Sequence, residues 1–292
     1  MQKLVSIDVG GTSIKYGLWD ENTKQLSDKG SIATPDNIED FYQVLQQIKD
    51  SFKDVDGIGM SIPGAVDQRT GVIGGISAIP YIHNFPIQKE LEARLETKIT
   101  MENDANCAAL AEVSIGTAKD MNNVLFVVIG TGVGGAVVIN RQIVHGSHLY
   151  GGEFGMMLAL ENQQLSKVGT AVYLGQNYND KYDNNLSGRE VLELAYKGDK
   201  NAMKEVQKMY DNLAHVIYNI QFGIDPEAII IGGGVSANTN FIKGLNQTLQ
   251  NLMINLRDIP ITPQVKAAEL HNDANLVGAA YNFYNFFCFK LL

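Results

Sequence analysis

The same order of structural elements occurs twice along the chain. Each half opens with an apolar strand, a glycine turn and a second strand, first in "KLVSIDVGG" with "SIKYGLWD" and later in "VLFVVIG" with "TGVGG" and "AVVINRQIV". Each half closes with a strand-like segment, an Asn-Asp-Ala-Asn sequence and a small-residue helix, in "TMENDANCAAL" and "ELHNDANLVGAA". The period is far too long for a solenoid. We infer two related α/β lobes with the functional site between them.

Hydrophobic periodicity predicts the elements of each lobe. "KLVSIDVGG" and "SIKYGLWD" form a predicted hairpin, and further strands are expected at "KGSIAT", "GIGMSIPG", "KITMEND", "AIIIGGG" and "QVKAAEL". Three- and four-residue spacing predicts helices over residues 36–52, 86–96, 103–113, 201–222, 239–254 and 274–287. Gly223 is placed to end the fourth of these helices. Residues 66–85 are predicted to be a loop with one short extended piece.

A chain of 292 residues with 45% hydrophobic composition is near the length at which one core gives way to two. The best boundary is residues 114–123, "SIGTAKDMNN". We expect an N-terminal α/β lobe over residues 1–115, completed by the C-terminal helix 274–292, and a C-terminal α/β lobe over residues 116–273.

The charge balance of 23 basic against 32 acidic residues, net charge -9, argues against nucleic acid or an anionic membrane as a partner. A small-molecule partner is expected instead. Met1 leads directly into a strand, and no run approaches the roughly 18 apolar residues of a membrane span. Cys107 and Cys288 are too few for a disulfide framework, so we expect a cytoplasmic protein.

Three glycine-rich turns could expose backbone N–H groups to a phosphate, because glycine lacks the obstructing Cβ. They lie at Gly10-Gly11, Gly130–Gly135 and Gly232–Gly234. The alternative for each is that a tight turn needs glycine anyway. "GTGVGG" is not a dinucleotide fingerprint, since the β-branched "AVVINRQIV" follows it where that fingerprint requires a helix.

Two acidic residues each allow two interpretations. Asp8 ends a buried strand just before Gly10, where a carboxylate needs compensation. It either caps its own turn or faces a Mg²⁺-phosphate complex. Asp104 stands where a helix begins and is either a helix cap or a catalytic base, or both, because a helix N-terminus keeps a carboxylate ionised. Asp273, in the second Asn-Asp-Ala-Asn sequence, is interpreted as a helix cap.

The motifs together resemble the ROK sugar kinases of the actin-like (ribonuclease H-like) ATPase superfold. The matching segments are "IDVGGTSIKYGL", "GIGMSIPGAVD", "ENDANCAALAE", "VIGTGVGGAVV", "GGEFG" and "IIIGGGV", in family order over nearly the whole chain. The resemblance implies two actin-like α/β lobes with an interlobe active-site cleft. It also implies ATP-dependent phosphorylation of a sugar with Mg²⁺, and a possible homodimer.

The resemblance also implies roles for particular residues. Asp8 would act on Mg²⁺ through phosphate or water, and Asp104 would be the catalytic base. The expected sugar-binding residues are Pro63, Gly64, Asn103, Asp104, Glu153 and Met156. The expected ATP- and phosphate-binding residues are Asp8, Gly10, Gly11, Thr12, Lys15, Gly130, Thr131, Gly132, Gly134, Gly135, Gly232, Gly233, Gly234 and Val235.

One departure from the family concerns zinc. Family members usually have Glu-x-Gly-His, and that His binds structural zinc together with a following cysteine cluster. This chain has Glu153-Phe154-Gly155-Met156 and no cysteine between residues 108 and 287. We therefore expect no zinc, because the ligand set is missing. "EFGMM" resembles the β-glucoside kinase branch of the family.

The expected reaction is transfer of a phosphoryl group from ATP to the 6-hydroxyl of a hexose, and the resemblance to the β-glucoside kinase branch points to a β-glucoside such as cellobiose. An N-acetylmannosamine kinase and a glucokinase are the alternatives within the same chemistry. A ROK regulator that binds sugar without catalysis is the alternative of another class. It is disfavoured because only seven residues precede Asp8, which leaves no room for a helix-turn-helix extension.

Overall fold

The computed structural model describes residues 2–256 and 259–288. The chain divides into two compact units, the first made of Met1–Lys119, His145–Tyr150 and Asn272–Leu292, and the second of Asp120–Val144 and Gly151–His271. Residues 145–150, expected in the second lobe, thus cluster with the first unit. Among the described residues, no helix is both long and apolar enough to cross a bilayer.

The first unit is built on a mixed sheet. The strands of the first unit are β1 (Lys3–Val9), β2 (Ser13–Asp20), β3 (Gln25–Ala33), β4 (Ile58–Ile62), β5 (Ala65–Asp67), β6 (Val72–Gly74) and β7 (Ile99–Asn103). The sheet has the order β3-β2-β1-β4-β7, and β5 with β6 forms a separate hairpin. β1 is antiparallel to β2, and β2 is antiparallel to β3. β4 runs parallel to both β1 and β7. The predicted opening hairpin is confirmed.

Three helices of the first unit follow the predicted pattern: α1 (Ile38–Asp50), α2 (Ile87–Leu95) and α3 (Asp104–Ser114). α1 begins after Asn37, whose side chain accepts a hydrogen bond from the Asp40 N–H at 3.0 Å. Its apolar face, with Phe41 and Leu45 fully buried, packs into the same core as the strand residue Ile7. The three- and four-residue spacing in the sequence therefore marks the buried face of this helix.

The second unit repeats the sheet topology of the first. Its strands are β8 (Val124–Ile129), β9 (Val133–Ile139), β10 (Gln142–Ile143), β11 (Ala228–Gly232) and β12 (Val265–Ala267), in the order β10-β9-β8-β11-β12. β8, β9 and β10 pair antiparallel, whereas β11 is parallel to both β8 and β12. Both sheets thus show two antiparallel pairings followed by two parallel ones. The predicted repeat of an α/β plan is confirmed.

The helices of the second unit are α4 (Leu165–Val168), α5 (Ala171–Tyr182), α6 (Gly188–Tyr196), α7 (Lys200–Ile224) and α8 (Thr239–Asn255). The sequence analysis predicted α7 and α8 but not α4, α5 and α6. The N-terminus of α6 carries a capping box, in which Ser187 and Glu190 each bind the other's backbone N–H. This Ser-x-x-Glu pattern is visible in the sequence and indicates the start of a helix.

The predicted end of α7 at Gly223 is wrong. The helix continues through Gly223 to Ile224, and its C-cap is Asp225, which has a left-handed φ of 56°. Aspartate tolerates this conformation because its short polar side chain can bond locally. Its N–H donates to the Gln221 carbonyl at 2.7 Å, and Pro226 follows immediately.

The last helix, α9 (Ala274–Cys288), starts in the second Asn-Asp-Ala-Asn sequence but belongs to the first unit. It packs against α3, the helix that follows the first Asn-Asp-Ala-Asn sequence, and against β4 and β1. α9 and α3 approach closely at Gly278, where an added Cβ would lie 1.7 Å from the Cys107 carbonyl oxygen. Only glycine fits there.

We therefore expect Gly278→Ala to lower the free energy of unfolding by about 1 to 3 kcal/mol, since overpacking at a helix contact forces backbone shifts. Urea unfolding followed by far-UV circular dichroism measures this change.

Gly223→Ala is the matched control, because it is the same substitution in a helix where an added Cβ meets nothing within 4 Å. It should leave stability unchanged or raise it by up to about 1 kcal/mol, as alanine is the better helix former. Equal stabilities for the two variants would contradict the close α3–α9 contact.

Candidate functional site

The carboxyl ends of three neighbouring parallel strands meet at one edge of the first sheet. β1 ends beside Asp8, β4 is followed by Pro63 and Gly64, and β7 ends at Asn103. Because parallel strands present their carboxyl ends on the same side, this edge is where open α/β sheets bind ligands. The expected Asp8, Gly64 and Asn103 are thus brought together by strand pairing.

Asp8 is held by two side chains from other elements. Its Oδ1 accepts hydrogen bonds from Ser61 Oγ of β4 and from Asn275 Nδ2 of α9, each at 2.9 Å. Both bonds use the same oxygen, which leaves Oδ2 for a further ligand. Lys15 is directly opposite Asp8 in the β1–β2 register and shares its face of the sheet.

The glycine turn between β1 and β2 is closed by its own backbone, since Gly10 N–H donates to the Ser13 carbonyl at 3.0 Å. Gly11 and Thr12 are exposed at the tip of the turn. An added Cβ at Gly11 would lie 2.7 Å from Ala78 Cβ, so packing also restricts this position to glycine. Packing therefore accounts for glycine at this position, and phosphate binding by the turn stays a prediction.

Asn103 caps α3 and at the same time contacts the segment after β4. Its Oδ1 accepts from Ala105 N–H at 2.9 Å and Asn106 N–H at 3.2 Å, and its Nδ2 donates to the Gly64 carbonyl at 3.1 Å. Gly64 has a φ of 109°, and an added Cβ would lie within 3 Å of Ile73, Gly74 and His83, so only glycine fits. The amide orientation of Asn103 is thus fixed.

Asp104 is exposed at the start of α3, and its Oδ1 accepts from Ala105 N–H at 2.8 Å. Burial of the surrounding region raises the pKa of the Asp104 carboxyl, and the negative charge of Asp8 acts in the same direction, whereas the Ala105 hydrogen bond opposes both. The side chain still reaches solvent, so the dehydration is only partial. Asp104 combines the helix-start position with an environment suited to a base.

The second Asn-Asp-Ala-Asn sequence is used differently. Both carboxylate oxygens of Asp273 contact Lys29 Nζ, at 3.0 and 3.1 Å, while Asn275 supplies the bond to Asp8. Neither Ser61 nor Asn275 was among the expected site residues. The echo of the first motif could have pointed to Asn275, whereas Ser61 carries no distinguishing sequence signal.

In the second unit, two glycine turns lie side by side at the carboxyl ends of β8 and β11. Gly232 pairs with Val128, and an added Cβ at Gly233, whose φ is 82°, would lie 2.2 Å from the Ile129 carbonyl oxygen. Gly130 N–H donates to the Gly132 carbonyl at 2.9 Å, which closes the β8–β9 turn. Thr131 is exposed at its tip, and Val235 is buried.

Glycines in these turns have different steric demands. An added Cβ at Gly130, Gly134 or Gly234 would meet no protein atom within 4 Å. At Gly135 it would lie 2.3 Å from the Phe126 carbonyl oxygen and 2.5 Å from the Phe154 ring. Gly135 is therefore a packing glycine. The open space at the other three is what close approach of a bound phosphate or nucleotide requires.

The segment containing Glu153 and Met156 packs against the start of β9. Phe154 is buried, and an added Cβ at Gly155 would lie 1.9 Å from the Val133 carbonyl oxygen. This leaves Glu153 and Met156 exposed on a short 3₁₀-helical turn, Phe154–Met156, next to the β8–β9 turn. Gln164 Nε2 contacts the Met156 sulfur at 3.7 Å, and the Met156 side chain is 61% exposed.

A family comparison covers almost the whole of both units. The model of the ROK family matches residues 4–285. The chain belongs to the ROK family. A relative from Listeria monocytogenes, described as a beta-glucoside kinase, is 30% identical to this ROK chain over 291 residues, 96% of this chain and 97% of its own.

Solved structures agree with this assignment. A ROK family protein from Streptococcus pneumoniae in complex with sucrose superimposes with a TM-score of 0.90 at 36% identity, covering 98% of this chain and 99% of that one. The ROK hexokinase from Thermus thermophilus gives 0.84 at 28% identity, covering 96% and 97%. The expected actin-like α/β fold with two lobes is confirmed.

The described part of this ROK chain offers few side chains for a metal ion. Among residues 2–256 and 259–288, no three His, Cys, Asp or Glu side chains cluster as metal ligands. The expectation that no zinc is bound stays a prediction. Asp8 offers one hard carboxylate oxygen, which suits Mg²⁺ that keeps several waters and phosphate oxygens as its other ligands.

The glycine contacts predict the behaviour of three variants. Gly130→Ala and Gly134→Ala should fold with a stability within about 0.5 kcal/mol of wild type, because the new methyl group meets no protein atom. Both should bind ADP with Mg²⁺ at least about tenfold more weakly if phosphate approaches this turn. Isothermal titration calorimetry with ADP, together with thermal unfolding, measures the two properties.

Gly135→Ala is the contrasting variant. It should be destabilised, as its methyl group would overlap Phe126 and Phe154. Unchanged ADP affinity in both Gly130→Ala and Gly134→Ala would exclude the turn as a phosphate site.

Proposed function

We propose that the protein is an ATP-dependent sugar kinase that transfers a phosphoryl group to the 6-hydroxyl of a hexose. The observation that carries the proposal is the joint position of Asp8, Gly64, Asn103 and Asp104 at one edge of the first sheet, with Asp104 exposed. A base, a phosphate-facing carboxylate and hydroxyl-binding groups are the parts that this transfer needs. The kinase names of relatives that align over nearly the full chain support the same reaction.

Asp104 is the proposed base. It accepts the proton of the 6-hydroxyl as the sugar oxygen bonds to the γ-phosphorus, and the bond from that phosphorus to the ADP oxygen breaks. A carboxyl whose pKa is raised is a better proton acceptor near neutral pH than an ordinary aspartate. Asp104 must be ionised to accept a proton, so activity should fall as pH drops through this raised pKa.

ATP is the proposed phosphoryl donor. Gly10, Gly11, Thr12 and Lys15 of the first unit, and Gly130, Thr131, Gly132, Gly134 and Gly135 of the second, are proposed for the phosphates, and Gly232, Gly233, Gly234 and Val235 for the adenosine. Asp8 would hold Mg²⁺ through water or phosphate, and the ion would neutralise phosphate charge. The packing role of Gly135 makes its part in phosphate binding an indirect one.

The sugar is proposed to bind Asn103, Asp104 and Glu153, with Pro63 and Gly64 alongside. A β-glucoside such as cellobiose is the proposed class of substrate, and Met156 carries the argument. In the family, a histidine in this place can pair with a free hydroxyl at the reducing end. A thioether is a weak acceptor with a flexible apolar surface, so a second ring is tolerated.

Kinases for N-acetylmannosamine and for free glucose are the alternatives. We also propose a cytoplasmic location and small molecules as the ligands, with a homodimer as a possible assembly.

The Asp104→Asn variant tests the base. We expect kcat to fall by about 10²- to 10⁴-fold, as for other lost general bases, with the sugar KM largely kept. Release of ADP in the presence of ATP, Mg²⁺ and each of several sugars measures both constants.

Asp273→Asn is the matched control from the second Asn-Asp-Ala-Asn sequence. It removes an exposed ion pair with Lys29, which is worth no more than about 1 kcal/mol, and should leave turnover unchanged. Loss of turnover in Asp273→Asn alone would transfer the base assignment to the second motif. A wild type that released no ADP with any sugar would refute the proposed function.

A comparison of kcat/KM for cellobiose, glucose and N-acetylmannosamine tests the substrate class. We expect wild type to prefer cellobiose and Met156→His to shift towards the monosaccharides, because the imidazole can pair with a reducing-end hydroxyl. A preference of wild type for either monosaccharide by about tenfold or more, roughly 1.4 kcal/mol, would overturn the β-glucoside assignment alone.

A further inference from the structure

A buried carboxylate lies directly beneath the proposed sugar site. Glu102 precedes Asn103 at the end of β7, and its side chain is 1% exposed. Its Oε1 accepts from Asn103 N–H and Asn106 Nδ2, each at 2.8 Å. Its Oε2 accepts from Gln68 Nε2 at 2.6 Å and contacts His145 Nε2 at 2.7 Å. The backbone and amide partners all donate, so the Glu102 carboxylate oxygens act as acceptors in these bonds.

Two of these bonds fix the first turn of α3. Asn103 N–H and Asn106 Nδ2 both donate to Glu102 Oε1, and Asn106 N–H donates to Asn103 Oδ1. The Asn103 side chain then reaches the Gly64 carbonyl in a single orientation. Asp104 is the next residue and lies in the same turn, so the same bonds also fix its position. Glu102 therefore orients both proposed sugar-binding residues without reaching the site itself.

His145 can supply a positive charge to this network. Its side chain is 28% exposed and makes an ion pair with Glu102 when protonated. The hydrogen bond with the Glu102 carboxylate raises the pKa of His145, its partial burial opposes this, and the charges of Glu102 and Asp67 add to the increase. An unpaired buried carboxylate is costly, so the imidazolium stabilises the whole arrangement.

The position of His145 in the chain adds a second consequence. His145 begins the segment His145–Tyr150. This segment lies between two stretches of the second unit in the sequence but clusters with the first unit. Glu153, a proposed sugar ligand, follows this segment in the sequence. The bond to Glu102 thus also holds the start of this segment within the first unit.

We propose that Glu102 and His145 are a positioning pair for the sugar site, in which the imidazolium holds the Glu102 carboxylate beneath Asn103 and Asp104. The inference rests on the proposed function, because it concerns the same sugar site. Neither residue is expected to touch the sugar.

The pair makes sugar affinity depend on pH. Since the pKa of His145 is raised in the folded protein, the charged pair is fully present below the unfolded value of about 6.5 and is lost as pH rises through the folded pKa. The facing groups that matter are Glu102 and Asp67, both acidic, and the neutral amides of Gln68 and Asn106. Affinity should therefore weaken on the alkaline side.

The experiment measures the dissociation constant of cellobiose and of glucose by calorimetry from about pH 5.5 to pH 9, without nucleotide. We expect the wild-type constant to rise by about fivefold or more across this range, as a hydrogen bond to a charged partner is stronger than one to a neutral partner. His145→Gln keeps a donor but removes the charge, and should bind weakly at every pH. His145→Lys keeps the charge and should bind tightly with little pH dependence.

His148→Gln is the matched control, since it is the same substitution at an exposed histidine of the same segment. It should keep the wild-type profile. Glu102→Gln should lower the pKa of His145 measured by NMR and should weaken sugar binding. If His145→Gln retained the wild-type affinity and pH profile, or if it lost thermal stability alone, the positioning pair would be refuted.

Turnover is measured separately by ADP release. Sugar binding with the expected pH profile but no ADP release would support the pair and refute the kinase. ADP release together with a pH-independent sugar affinity would support the kinase and refute the pair. Failure to bind any sugar would refute the positioning role.

Discussion

Parallel pairing of β1, β4 and β7 is the constraint on which the candidate site depends. Parallel strands must be joined by crossovers, so their carboxyl ends collect at one edge, where residues distant in sequence meet. Asp8, Gly64 and Asn103 reach that edge because each ends or follows one of these strands. The same pairing of β8 with β11 brings Gly130 beside Gly232 and Gly233. The positions of the candidate site residues in both units thus follow from strand direction.

The two halves share a topology but use their repeated motif unequally. After β7, the motif presents Asp104 to solvent with a raised pKa. In the second copy, Asp273 pairs with Lys29 and Asn275 binds Asp8. The helix that follows the second copy packs on the helix that follows the first, at the Gly278 contact. One copy supplies the proposed base, and the other supports the carboxylate proposed for the metal.

Two acidic groups around the site, the buried Glu102 and the half-buried Asp8, are each compensated by their own partners. Glu102 is surrounded by Asn103, Asn106, Gln68 and His145, and Asp8 by Ser61 and Asn275. Such bonds offset the cost of removing a carboxylate from water. Asp104 differs, because its side chain reaches solvent, although partial burial and the charge of Asp8 raise its pKa. The site therefore combines rigid carboxylates that orient their neighbours with one that remains available for proton transfer.

Local periodicity and turn chemistry were enough to predict the repeated α/β plan, the opening hairpin, most helices and the glycine turns. They also located Asn103 and Asp104 at a strand-to-helix junction. The three-dimensional packing was needed to show that Asp225 ends α7, that residues 145–150 join the first unit, and that Gly135 packs against Phe154. The partners Ser61, Asn275 and His145 were likewise found only there. Contacts between segments far apart in the chain depend on sheet register and helix packing, which no local pattern of residues encodes.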